Sequence, residues 1–171
     1  MAVIRKEDVI SSVADALQYI SYYHPLDFVQ ALDKAYQKEE SQAAKDAIAQ
    51  ILINSRMSAE GHRPICQDTG IVTCFVNIGM NVQWDSDLTV QEMIDEGVRQ
   101  GYTNPDNPLR ASVLKDPAGK RINTKDNTPA VVHINMVPGD KVEIQIAAKG
   151  GGSENKTKMV MLNHLTISLS G

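Results

Sequence analysis

Apolar positions recur at helical spacing over the first third of the chain and switch to β-type patterning afterwards. Val9, Ile10, Val13, Leu17 and Ile20 form one stripe, and a stripe of that period predicts an amphipathic helix. Pro25 is suited to the first position of a second helix, whose face would be Leu26, Val29, Leu32 and Tyr36. Ser41 is a candidate N-cap for a third, with Ala44, Ile48, Ile51 and Leu52 turned inward. Residues 7–58 therefore read as a three-helix scaffold. After the breaker at 61–64, the β-branched run 71–78 reads as a strand, and 82–84 are expected to pair back on it across a turn at Gly79 and Asn81. Thr89 and Glu92 have the spacing of a capping box, which opens a helix running to Gly101. Residues 102–129 are rich in Pro, Asn and Asp. A connection of that length is either a functional loop or a disordered linker. Residues 130–136 and 141–147 read as strands joined by Val137-Pro138-Gly139-Asp140, the signature of a tight turn and so of an antiparallel hairpin. A glycine loop follows, then a short helical stretch at 157–162 and a tail without a clear element. The fold class is α+β, an N-terminal helical layer followed by a mainly antiparallel sheet with a Gly-rich loop.

Bulk properties narrow the function. The 171 residues suffice for one domain with a core, and the net charge of −4 argues against a general nucleic-acid binder. No apolar run approaches the roughly 20 residues that span a bilayer, and the N-terminus lacks the apolar core of a signal peptide. The expected location is the cytoplasm, with no nucleic-acid and no membrane partner. The two cysteines, Cys66 and Cys74, are not expected to form a disulfide there. They match no zinc spacing and cannot complete the thiolate set of an iron–sulfur cluster.

Two stretches carry candidate chemistry. Cys66-Gln67-Asp68 sets a thiol, an amide and a carboxylate on adjacent residues before Thr69-Gly70. A soft metal ligand beside an acid points to a site handling a metal and a proton together. The competing readings are a buried small hydrophobe at Cys66 and a simple aspartate turn at Asp68. Cys74, inside an apolar strand, reads as core. Lys149-Gly150-Gly151-Gly152 removes three side chains in a row, so backbone can approach a ligand closely. As a phosphate loop it is defective. Asn155 stands where the motif needs glycine, and the expected hairpin before it is not a βαβ unit. Arg110 is either solvated surface or, on a proline-stiffened loop, a fork for a carboxylate. The four histidines show no close ligand spacing.

Four motifs in order, Arg63-Pro64-Ile65-Cys66-Gln67-Asp68-Thr69-Gly70, Asn107-Pro108-Leu109-Arg110, Asn127-Thr128-Pro129-Ala130 and Ala148-Lys149-Gly150-Gly151-Gly152-Ser153-Glu154-Asn155-Lys156, resemble the class I, iron–sulfur-dependent fumarate hydratases. L-tartrate dehydratase α subunits share this catalytic type. The resemblance covers residues 1–163, the N-terminal portion of an α-type catalytic domain, and leaves 164–171 as an atypical tail. It implies reversible hydration of fumarate to L-malate at a [4Fe-4S] cluster held by three cysteines, with one open iron as Lewis acid. Cys66 matches the first cluster cysteine. Gln67, Asp68 and Arg110 match dicarboxylate contacts, Asp68 being also the candidate for proton transfer, and Gly152 matches a glycine whose backbone meets the substrate. The parent enzyme would be a homodimer. The second and third cluster cysteines have no counterpart here, so the expectation is a shortened chain that is inactive alone. The competing readings are a tartrate dehydratase α subunit and, outside catalysis, an inactive binding or assembly fragment.

Overall fold

The computed structural model describes residues 3–151 and 158–161. A short strand β1 (Val3–Arg5) leads into helices α1 (Lys6–Tyr22), α2 (Leu26–Lys38) and α3 (Gln42–Gly61). Then come β2 (Ile71–Gly79), β3 (Gln83–Asp85), α4 (Val90–Tyr102), β4 (Leu114–Lys115), β5 (Ile122–Asn123), β6 (Val131–Val137) and β7 (Val142–Lys149). The α+β class holds, with helices first and sheet after. The glycine loop from 152 onward and the tail from 162 lie outside the described residues. So do both ends of the helix expected at 157–162, and residues 158–161 carry no regular element.

The core lies between α1, α4 and one face of the sheet. Val9, Val13 and Leu17 of α1 meet Met93, Ile94 and Val98 of α4, above Val72, Cys74, Val76 and Ile78 of β2. Alternation along β2 puts these four inside and leaves Ile71 and Phe75 exposed, as the two-residue strand period requires. Two glycines let the helices close. A Cβ on Gly97 would stand 2.6 Å from Cβ of Val13 and 2.8 Å from the Ile10 carbonyl oxygen, and one on Gly101 would press less hard, at 3.3 Å from the Ala14 carbonyl oxygen. The capping box at the start of α4 forms as expected. The Thr89 side chain accepts from the Glu92 amide while the Glu92 carboxylate accepts from the Thr89 amide, satisfying two donors that a helix end leaves unpaired. Ser41 caps α3. Pro25 stands at the N-cap of α2, one position before its expected place.

The sheet differs from expectation in its pairing. Its order is β6-β2-β7, with β2 parallel to β6 and antiparallel to β7. The short 137–141 connection therefore does not join hydrogen-bonded neighbours. It arches over the end of β2, where the Gly79 amide donates to Lys141 O (2.8 Å), Met80 to Val137 O (2.9 Å) and Asn81 to Gly139 O (2.9 Å). Gly79 allows this crossing, since a Cβ there would lie 2.6 Å from Gly139 O. A Pro-Gly turn looks the same in sequence whether its arms pair or straddle a third strand. The deciding fact is burial. β2 is the strand whose inward residues are fully covered, and β6 and β7 are edges. β3 likewise pairs with β1, in parallel, rather than back on β2.

Helices α2 and α3 form where expected but contribute little to this core. No residue of α2 is buried, and α3 buries only Ser55 and Ser58. The apolar faces read from the sequence are half covered by each other, and Leu26 is 71% exposed. The long segment 102–129 is ordered, with the β4–β5 hairpin inside it. Among the described residues no helix is long and apolar enough to cross a membrane.

The two α4 glycines should separate in a urea titration. Gly97→Ala forces a methyl into backbone and should destabilise by about 1–3 kcal/mol, the usual cost of overpacking. Gly101→Ala, whose methyl would sit a tight 3.3 Å from the Ala14 carbonyl oxygen, should cost less than Gly97→Ala, because the smaller displacement is offset by up to about 1 kcal/mol of helix propensity. Equal midpoints for the two variants would contradict the close approach described above.

Candidate active site

The segment after α3 is built to hold a loop rigidly. His62 takes a left-handed conformation (φ 46°) and its amide donates to Ser58 O, ending the helix. Ile65 is then pinned twice: its amide donates to Ser21 O of α1 (2.9 Å), and its carbonyl accepts from Nδ2 of Asn54 in α3 (2.9 Å). The next residue, Cys66, presents an exposed thiol, 3.4 Å from Oε1 of Gln67. The buried-hydrophobe reading of Cys66 is thereby excluded. It holds instead for Cys74, which is fully covered in the core. Burial, with a smaller effect from Asp95, pushes the Cys74 thiol up to about 11, so it stays protonated at neutral pH.

Asp68 forms the expected turn and also makes a contact beyond it. Oδ1 accepts from the Gly70 amide (3.1 Å), closing an aspartate turn, while Oδ2 accepts from the Gly151 amide (2.6 Å) across the molecule. A Cβ on Gly150 would lie 3.1 Å from the same oxygen. The turn itself depends on Gly70, whose φ is +76° and whose Cβ would fall 2.5 Å from the Lys149 carbonyl carbon. The start of β2 and the end of β7 thus touch backbone to backbone, in register Ile71↔Lys149, and deliver the acid to the glycine loop.

Arg110 reaches the same place from a different loop. The hydroxyl of Thr69 donates to the Arg110 carbonyl, Tyr102 Oη donates to Thr69 O (2.9 Å), and the Leu109 amide donates to Tyr102 O (3.0 Å). Gln67, Asp68 and Arg110 line one open cleft of about 380 Å³, walled on its far side by Ser112, Leu114 and Asn123. Cys66 lies round the corner, on a smaller cavity of about 100 Å³ with Pro64 and Ala148, and Asp68 borders both spaces. Four of the five residues singled out from sequence are therefore adjacent. The fifth, Gly152, lies outside the described residues.

Asn127, which opens one of the four motifs but was given no role from the sequence, proves to be a structural centre of the site. It is fully buried. Its Oδ1 accepts from the amides of Ser112 (2.6 Å) and Val113 (3.1 Å), and its Nδ2 donates to Gly70 O (2.9 Å). One side chain therefore ties the Asp68 turn to the strand of chain that follows Arg110. Its φ of 62° is a left-handed conformation that asparagine tolerates. An Asn directly before Thr-Pro was the available signal.

No histidine joins the site among the described residues. His24 contacts Ser55, His62 contacts Tyr23, and His133 stacks on Phe75. Nor do the described residues contain a group of three or more His, Cys, Asp or Glu side chains placed to hold a metal. With one exposed and one sealed thiol in the whole chain, these residues do not fit a complete iron–sulfur site. They offer a single sulfur ligand beside a carboxylate.

The chain resembles known proteins over most of its length. Residues 10–168 match the family described as fumarate hydratase (Fumerase). A Methanocaldococcus jannaschii protein with the provisional name L(+)-tartrate dehydratase subunit alpha is 31% identical over 88% of this chain and 53% of its own length. The anaerobic class I fumarate hydratase of Escherichia coli K12 is 34% identical over 70% of this chain and 21% of its own length. An E. coli UTI89 L(+)-tartrate dehydratase subunit alpha is 28% identical over 82% of this chain and 46% of its own length. The chain spans about half the length of the tartrate dehydratase relatives and about a fifth of the fumarate hydratase one. The match over nearly the whole chain shows that the protein belongs to the fumarate hydratase (Fumerase) family.

Proposed function

We propose that this chain forms the N-terminal part of a hydro-lyase active site that removes water from, or adds it to, a four-carbon dicarboxylate. The observation that carries the reading is the position of Asp68, hydrogen-bonded to the Gly151 amide and sharing a cleft with Gln67 and Arg110. A substrate with two carboxylates needs cationic and N–H partners at its ends and a base near its central carbons. The Arg110 guanidinium can take one carboxylate through two parallel hydrogen bonds, and the Gln67 amide can donate to a substrate oxygen. Asp68 accepts the proton from the carbon next to the hydroxyl-bearing one and returns it in the hydration direction. Backbone N–H groups of the glycine loop, free of side chains, add donors where negative charge builds up.

Hydroxide is a poor leaving group. In the whole protein a [4Fe-4S] cluster with one open iron would supply the Lewis acid for it. Cys66 would give one thiolate to that cluster, and the remaining ligands would come from outside these 171 residues. The chain's own residues bind, orient and move a proton, and no more is asked of them here. The same reading has the protein work in the cytoplasm as a homodimer.

Fumarate with L-malate is the leading substrate pair. L-tartrate is the second, favoured by the fact that the relatives sharing about half their length with this chain carry that name. Turnover of both substrates by the native full-length protein, prepared without oxygen, would choose between them.

In that protein Asp68→Asn should lower kcat by about 10²–10⁴-fold, the usual span for a lost acid–base group, and Arg110→Lys should act mainly on KM. Unchanged kcat in the Asp68 variant would overturn its role. Asn127→Ala should leave three backbone groups without their partner, at about 1–3 kcal/mol for each unsatisfied buried group, and lower the thermal midpoint accordingly. A native midpoint in that variant would show the tie to be unimportant. Iodoacetamide should label Cys66 alone in the folded chain and both thiols in denaturant. Labelling of Cys74 without denaturant would contradict its burial.

A further inference from the structure

We propose that the β4–β5 hairpin and its flanks form an electrostatic collector that draws a dicarboxylate dianion into the cleft beside Arg110. The inference rests on the dicarboxylate reading above and assigns a role to residues outside the binding contacts. Between positions 110 and 125 the chain carries Arg110, Lys115, Lys120, Arg121 and Lys125, against a single carboxylate, Asp116, in a protein whose net charge is −4. All five cations are exposed. The ion pairs among the described residues are Arg5–Asp8, Lys6–Asp87, Arg56–Glu60 and Arg99 with both Glu96 and Asp126. None involves a cation of the hairpin. Asp116 is occupied in the turn, where Oδ2 accepts from the Lys120 amide (2.9 Å). Asp126, the next carboxylate along the chain, is already held by Arg99.

The hairpin that carries these charges is held in place at the cleft. Leu114 and Asn123, partners across the hairpin, form the cleft wall facing Gln67 and Asp68. Asn123 Nδ2 donates to Ala111 O (2.8 Å), its Oδ1 accepts from the Lys125 amide (2.7 Å), and the Thr124 amide donates to Val113 O (3.0 Å). Asn127 anchors the base of the same segment. An unpaired cationic lobe rooted in the rim of a cleft raises the local concentration of an approaching anion and speeds its capture. The effect reaches about 8–10 Å at physiological ionic strength and fades as salt is added. Because these side chains act on approach and not on the reacting atoms, they should change capture and leave the chemical step alone.

The test replaces Lys115, Lys120 and Lys125 together by Gln in the native full-length protein and follows kcat/KM from about 20 mM to about 300 mM salt. The triple variant should lose about three- to tenfold in kcat/KM at low salt, keep its kcat, and converge with the unaltered protein at high salt. A loss that persists at high salt, a fall in kcat, or identical salt profiles would overturn the proposal. A titration with fumarate, read from the amide shifts of residues 110–125 at both salt levels, scores the collector without turnover. Weaker binding in the variant at low salt only, with no such difference for the neutral fumaramide, supports it. Shifts independent of salt or variant, or no shifts at all, overturn it. Absence of turnover with both malate and tartrate, alongside salt-dependent fumarate binding, would instead reject the hydro-lyase reading.

Discussion

The cleft depends on one fully buried side-chain amide. Asn127 spends its acceptor on two amides of one loop and its donor on the carbonyl of Gly70 in another. A buried polar group is stable only when its hydrogen bonds are made, and here making them fixes the spacing between the carboxylate at 68 and the guanidinium at 110. Two further links act in parallel, Thr69 to the Arg110 carbonyl and Tyr102 to Thr69. The site residues come from loops about forty positions apart. Their adjacency is a property of this polar knot rather than of either loop.

The second constraint is steric. At Gly70 and Gly79, the two ends of β2, backbone passes so close that no side chain fits. At one end the crossing chain is the start of the glycine loop, and at the other it is the 137–141 turn. Together they clamp β2 between β6 and β7, and they bring the Asp68 carboxylate within 2.6 Å of the Gly151 amide. The helices serve this strand from one side. α1 and α4 cover its inward face, and the Ser21 carbonyl at the end of α1 steadies the loop before Cys66. α2 stands apart from this core, and α3 is joined to the site by Asn54, which holds the Ile65 carbonyl.

Much of this was legible from residue patterns. The helix periods, the caps at Ser41 and Thr89, the strand at 71–78 and the core role of Cys74 all reflect local chemistry, and local chemistry is written in short windows. The motifs at 66–68 and 110 pointed to one site; in the fold Gln67, Asp68 and Arg110 line one cleft, and Cys66 opens on the neighbouring cavity that Asp68 also borders. Strand order was not legible. Whether β6 and β7 pair or embrace β2 is decided by which strand can be buried on its inward side and held along both edges, a question of competition across the whole chain. The apolar faces of α2 and α3 were read correctly as stripes and wrongly as core, because periodicity marks a face and does not say what covers it. The motif at 127–130 was visible, but the task of Asn127 was not, because a polar residue in a loop has many ordinary explanations and its partners lie 14, 15 and 57 positions away.

The straddling turn has a consequence for how the chain must fold. A hairpin can zip from its turn, each contact closing a small loop. Here β6 and β7 meet only through β2, and the partners in β2 and β6 lie 58 residues apart. Ordering that long intervening segment precedes most of the reward for pairing, so the sheet belongs to the slow, non-local class of folding reactions. During synthesis β2 leaves the ribosome well before either neighbour exists. Its two open edges must wait, and any factor that shields an unpaired strand in that interval acts on the yield of the whole protein.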